Sequence, residues 1–140
     1  MKLCNDVITV FNARVDPATG GNVWTATVID GVSWYMTDAS TVDASKGGLV
    51  AANRATIRIP VEAKVSGKVY TDPISYKGAD SVAGLWTLQQ GDIIVRGDGS
   101  ATQSPTPAVL KKTFADCVTV LGVTDNRRAP NAPHWRVTGT

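Results

Sequence analysis

Hydrophobic residues recur along this chain in short alternating runs. The clearest is ATIRIPVEAKV, where Ile57, Ile59 and Val61 fall on one side and Thr56, Arg58, Pro60 and Glu62 on the other. A period of two is that of a half-buried strand, and Pro60 places it at a sheet edge or bulge. VITVFNARV (Val7 to Val15) reads as an earlier strand, closed by the turn sequence DPATGG, where Pro17 fixes φ and Gly20-Gly21 permits positive φ. Val23 to Thr37 is long for one strand, and Asp30-Gly31 in its middle predicts a hairpin turn there or, as the less favoured alternative, a bulge within one strand. Further strands are expected at Val69, over DIIVRGDG (Asp92 to Gly99), over CVTVLGV and over HWRVTG.

Between these runs the pattern lapses twice. Asp38 to Asn53, DASTVDASKGGLVAAN, is small, polar and glycine-containing, and predicts a long loop at about 38–54. A second irregular segment, at about 72–90, holds at most one short turn of helix. Ser104 to Cys117 is the best helix candidate: Thr106 suits the cap, Pro107 the first helical position, and Val109, Leu110 and Phe114 share a face. The expected fold is mainly β, a small barrel or sandwich of six to eight short antiparallel strands with one short helix before the last two. It forms a single domain over residues 1–140. From it we expect Ile57, Ile59, Val61, Ile94, Val118, Val120 and Val137 to share one core.

Composition supports a β fold. Val, Thr and Ile supply 41 of 140 residues, and eleven of the twelve acidic residues are Asp, which favours turns over helix interiors. Charged residues are 19% of the chain and the net charge of +2 is dispersed, with basic pairs only at Lys111-Lys112 and Arg127-Arg128. No basic tail points to nucleic acid, and sequence-specific nucleic-acid binding is not expected. No apolar run is long enough to span a membrane, MKLCNDVITVF lacks a signal-peptide core, and Cys4 and Cys117 are expected to be free thiols.

Candidate chemistry is sparse. His134 is the only histidine, at a strand start in PHWRV, and reads as a structural residue, hydrogen-bonded or packed on Trp135. His and Cys do not cluster as zinc ligands, DASTVDASKGG lacks the spacing of a calcium loop, and RGDGS and SKGG are not phosphate loops. Arg96-Gly97-Asp98 is treated as a chance tripeptide. Trp24, Trp34, Trp86 and Trp135 follow strand-like alternation and are expected in the core. No enzymatic activity, metal or cofactor is expected.

The order GLWTLQQGDIIVRGD, short helix, CVTVLGVTDNRR and PHWRVTG resembles small head–tail connector proteins of tailed phages, above all the head-closure (stopper) and minor structural proteins of phages and prophages of Gram-positive bacteria. The matching positions are Gly91, Asp92, Ile94 and Gly97, then Val120, Val123, Asp125 and Arg127, then His134, Trp135 and Val137. ATIRIP matches the strand before that block, so the likeness covers roughly Ala55 to Thr140. The resemblance implies a virion structural protein, assembled in the bacterial host cytoplasm as a homo-oligomeric ring below the portal. Its partners would be copies of itself, the portal or an adaptor, and a tail protein. A tail-terminator or tail-completion ring is the alternative, and a small nucleic-acid-binding barrel the alternative of another class. Candidate contact residues are Val42, Lys46, Leu49 and Val50 in the first long loop, and Asp125, Arg127 and Arg128 before the last strand, with both arginines held out from the body.

Overall fold

The computed structural model describes residues 4–37, 40–43, 48–51 and 54–140. Its frame is a closed antiparallel circuit. Strands β1 (Asp6–Val15), β2 (Asn22–Thr37), β5 (Arg54–Pro60), β9 (Ile93–Arg96), β10 (Cys117–Asn126) and β11 (His134–Gly139) pair in the order β1-β9-β10-β11-β5-β2, and β2 pairs back onto β1. Closure leaves no edge among these six strands. A short β6 (Lys64–Val65) adds to β2 at Ile29 and Asp30, giving a seven-stranded sheet.

Two strands turn the corners. β2 runs unbroken through Asp30-Gly31, so the bulge and not the hairpin is correct: Asp6 faces Val32 but Val7 faces Asp30, and Gly31 takes φ +89°. The extra residue bends β2, whose first part pairs with β1 and whose last residues, Ser33–Thr37, pair with β5. β10 does the same: Cys117–Thr119 pairs with β9, the register shifts between Val120 and Gly122, and the rest pairs with β11. Gly139 is required at this second corner, since a Cβ there would stand 2.8 Å from the Thr119 carbonyl oxygen.

The barrel interior is filled by Ile8, Val10, Ile29, Val32, Ala55, Ile57, Ile59, Ile94, Val118, Val120, Trp135 and Val137, joined by Trp86 and Leu88. Six of the seven expected core residues are therefore buried together. Val61 is not; it is 49% exposed, because β5 ends at Pro60 and the chain turns there, with the Ala63 N–H bonded to the Pro60 carbonyl. Nor is β5 an edge strand. It lies between β11 and β2, and Pro60 is tolerated because it sits beyond the end of the β2 ladder, which stops at Arg58.

A second apolar cluster lies outside the barrel. Phe11, Ile93 and Val95 point away from the interior and are covered by α2 (Pro107–Thr113) through Leu110, with Phe114 beside it. This explains the unbroken IIV of β9, which is buried on both faces. The Thr106 side chain accepts from the Val109 N–H as expected, but Val109 itself is 37% exposed and only Leu110 of the helix is buried.

The two expected loops are more ordered in backbone than the sequence suggests. The segment 72–90 contains α1 (Pro73–Gly78), capped by Asp72, and β8 (Leu85–Trp86), which pairs in parallel with β7 (Val69–Tyr70). In the segment 38–54, β3 (Ser40–Asp43) and β4 (Gly48–Ala51) form an antiparallel pair. Thr37 faces Arg54, and Ser40 faces Ala51, three residues further along each strand, so this ladder keeps the register of β2–β5. The two strands form a separate two-stranded sheet, and neither pairs with any other described strand.

Candidate functional site

The most polar place in the interior is built on Asp92. Gly91, at φ +93°, turns the chain into β9, and its N–H bonds the Val120 carbonyl while the Val120 N–H bonds the Asp92 carbonyl. This ties the Gly91-Asp92 pair to β10 and points the Asp92 side chain under β1, where it is only 1% exposed. Its Oδ2 accepts from Asn12 Nδ2 at 2.7 Å, and its Oδ1 accepts from the Ala13 N–H at 3.1 Å and Gln89 Nε2 at 3.2 Å. Asn12, fully buried, also donates to the Thr87 carbonyl and accepts from the Thr87 N–H. Burial pushes the Asp92 carboxyl up from 3.8 to about 6, against the opposing pull of these three donors.

Asp92 forms part of the wall of an open groove of about 400 Å³, which Arg14, Trp24, Lys77 and Gln89 also line. Arg14 donates to the Ala79 carbonyl, which ties β1 to the end of α1. The Asp92 carboxylate accepts from three donors of its own chain, so the arrangement locks β1, the segment before β9, and β10 into one unit. Among the described residues, no three His, Cys, Asp or Glu side chains come together as a metal set. The sequence reading assigned Asp92 to the resemblance motif but missed Asn12, Thr87 and Gln89. Asn12 carried a signal: it occupies an inward position of β1, two residues after Val10.

The second constellation is the β10–β11 connection. Asp125 accepts from Arg127 through both carboxylate oxygens, at 2.7–3.0 Å, and from the Arg127 N–H at 3.0 Å. Arg127 holds the Asp125 carboxyl down at about 2. The guanidinium lies over two rings, 5.0 Å from the centre of Tyr70 and 5.3 Å from that of Trp135. The two rings lie 4.7 Å apart between centroids, and each meets Trp86 edge to face, Tyr70 at 5.2 Å and Trp135 at 5.4 Å. Arg127 is therefore folded back on the body, contrary to the expectation that it is held out; its planar cation is more weakly hydrated than an ammonium and packs well on aromatic faces. Arg128 is exposed, as expected. Burial raises the Tyr70 phenol, with Arg127 opposing.

His134 is hydrogen-bonded within the β10–β11 connection. Its Nδ1 lies 2.8 Å from the Ala132 carbonyl and its Nε2 3.4 Å from Asn126 Nδ2, so the ring bridges the connection to β10. Trp86 and Trp135 are core residues, whereas Trp24 and Trp34 are only partly buried at its margins. The Arg96-Gly97-Asp98 tripeptide is engaged internally: Arg96 pairs with Asp6 at 2.9 Å and Asp116 at 3.6 Å, and Asp98 binds Ser100. Of the motif positions, Ile94, Val120, Trp135 and Val137 are buried, Val123 packs against the same core, and Gly97, at φ +96°, donates to the Val7 carbonyl. Lys46 lies outside the described residues; Val42 and Leu49 are backbone partners in β3–β4, and Val50 faces Thr41.

A family model matches residues 3–140, nearly the whole chain. The chain belongs to DUF6751, a family of unknown function. No curated protein and no solved structure shows significant similarity to it. The DUF6751 match takes in both constellations and the β3–β4 hairpin, so the family domain and the folded unit coincide.

Proposed function

We propose that this DUF6751 protein is a structural component of a tailed-phage virion, a ring-forming head–tail connector of the head-closure kind. One structural observation carries the reading furthest: beyond the β2–β5 wall lies a two-stranded arm, β3–β4, paired with the same residue offset, whose outer edges meet no other described strand. Free strand edges are pairing templates, and adding a neighbour's strand is a general mode of association. A closed barrel carrying such an arm has the parts a ring protomer needs. The order of elements that resembles phage connectors supports the same conclusion independently, since it is carried by residues outside the arm. A tail-terminator or tail-completion ring would use the arm in the same manner.

Ordering a segment costs roughly 1–2 kcal/mol per residue in backbone entropy, whereas full burial of a Val or Leu returns about 1.5–3 kcal/mol. Covering Val42, Leu49 and Val50 with a neighbouring subunit would offset much of that cost. Deleting Thr41 to Val50 is the test, with thermal melting of the purified deletion beside incorporation into particles in cells that also produce a portal and a tail protein. The expected result is a folded domain with nearly unchanged melting that is absent from particles. A deletion that unfolds the domain, or particles that form normally with it, would overturn the proposal.

A further inference from the structure

Where β2, β5, β11 and β10 pair with one another, the outward face carries arginines that form no ion pair with a described residue. Along β5, Ala55, Ile57 and Ile59 are buried, so Arg54, Thr56 and Arg58 point outward; along β11, Trp135 and Val137 are buried and Arg136 points outward. Register places Arg58 directly opposite Arg136. Like charges facing each other across a ladder are unfavourable, and an anion bound between them would relieve the repulsion. Neither arginine, nor Arg54, forms an ion pair with a described residue. Among the described residues, no Asp or Glu occupies an outward position within the β2–β5, β5–β11 and β10–β11 pairings; the exposed Asp30 of β2 lies before them, opposite Lys64. Asp125 lies opposite the inward-facing Trp135 and is already held by Arg127.

An aromatic ring completes the face. Tyr35 is 62% exposed and lies opposite Thr56, which sets Arg54 and Arg58 on its two diagonals. Diagonal neighbours on one sheet face are about 7–8 Å apart, within reach of long side chains. Thr124 stands beside Arg136 on the far side, adding a hydroxyl donor.

We infer that this face binds single-stranded nucleic acid through its phosphate backbone, with Arg54, Arg58 and Arg136 on phosphates and Tyr35 stacked on an unpaired base. Charge complementarity specifies a polyanion, and an exposed ring flanked by arginines favours a strand whose bases are free to stack. The groups that would make these contacts read no base edge, so binding is independent of sequence. This inference does not depend on the connector reading.

The test is fluorescence anisotropy of the full chain with a labelled oligothymidine in rising salt. Three neutralised phosphates give a log–log slope of about −2, so affinity falls about 20-fold between 50 and 200 mM salt. Replacing Arg58 and Arg136 together by Gln brings the slope to about −0.7, the pair R58K/R136K retains most of it, and Tyr35→Ala weakens binding about fivefold or more. The control K111Q/K112Q, on α2, leaves binding unchanged, and thermal melting of R58Q/R136Q is not lowered. Absence of salt-dependent binding at 50 mM, or a loss in K111Q/K112Q equal to that in R58Q/R136Q, overturns the site. Unchanged affinity in Tyr35→Ala overturns the single-strand assignment, and displacement by poly-aspartate at equal charge concentration assigns the face to an acidic polypeptide instead.

Discussion

Replacing Asp92 by Asn alters one atom of a buried carboxylate and removes its titration. Folding raises this carboxyl from 3.8 to about 6 because it is buried, although three donors converge on it. Between these values the folded state binds the proton more tightly than the unfolded state does. The stability associated with Asp92 is therefore fully present below about pH 4 and declines as pH rises through about 6. At 1.36 kcal/mol per pH unit, the interval corresponds to about 3 kcal/mol. The variant lacks this dependence, but its new amide opposes Asn12 Nδ2, donor against donor, at every pH, at a cost of about 1–3 kcal/mol.

Asp92→Asn is thus expected to be less stable than the parent by about 1–3 kcal/mol at pH 4, and as stable or more stable at pH 7.5. Urea unfolding of both proteins from pH 4 to 8 measures the difference directly, since every other titrating group cancels in the subtraction. A difference that stays flat with pH would mean that the carboxyl titrates alike in both states. A variant that becomes relatively less stable as pH rises would mean that the donors outweigh burial, reversing the sign of the argument.

Gly139→Ala is expected to cost about 1–3 kcal/mol in urea unfolding, because its Cβ would meet the backbone oxygen of Thr119 at 2.8 Å; an unchanged midpoint would show that the β10 corner yields. Arg127→Ala removes the partner that depresses Asp125, so the lost stability is present above about pH 4 and fades as pH falls towards about 2. Both side chains are about half exposed, at 44% and 50%, which limits the loss at pH 7 to about 1 kcal/mol. A loss that persists undiminished at pH 2 would assign it to the Tyr70 and Trp135 rings instead of the ion pair.

The resemblance motif and the polar interior were legible to different degrees. Gly91, Asp92 and the β10–β11 block could be picked out because glycine, aspartate and alternating valines recur at fixed offsets. The partners of Asp92 could not, because Asn12 is 80 residues away in sequence and meets it only once β1 and β9 are paired. The outward arginines were visible as polar members of an alternating strand, yet their opposition depends on the register of β5 against β11. Arg127 was read as an exposed loop residue; its position over Tyr70 requires β7, β8 and β11 to converge.

Local chemistry fixed what neighbouring residues can decide together. The alternation of Ile57 and Ile59, the cap at Thr106 before Pro107, and the turn at Asp16–Gly21 are each specified within a few residues. The sequence also determined the β class, through its stiff branched side chains. Asp30-Gly31 shows where that reach ends. Hairpin and bulge both admit a glycine with positive φ, and only closure of the barrel, which needs β2 to bend from β1 onto β5, selects the bulge. In the same way, Val61 has the right period for burial, but burial is a property of what lies opposite, and the chain turns away before anything does.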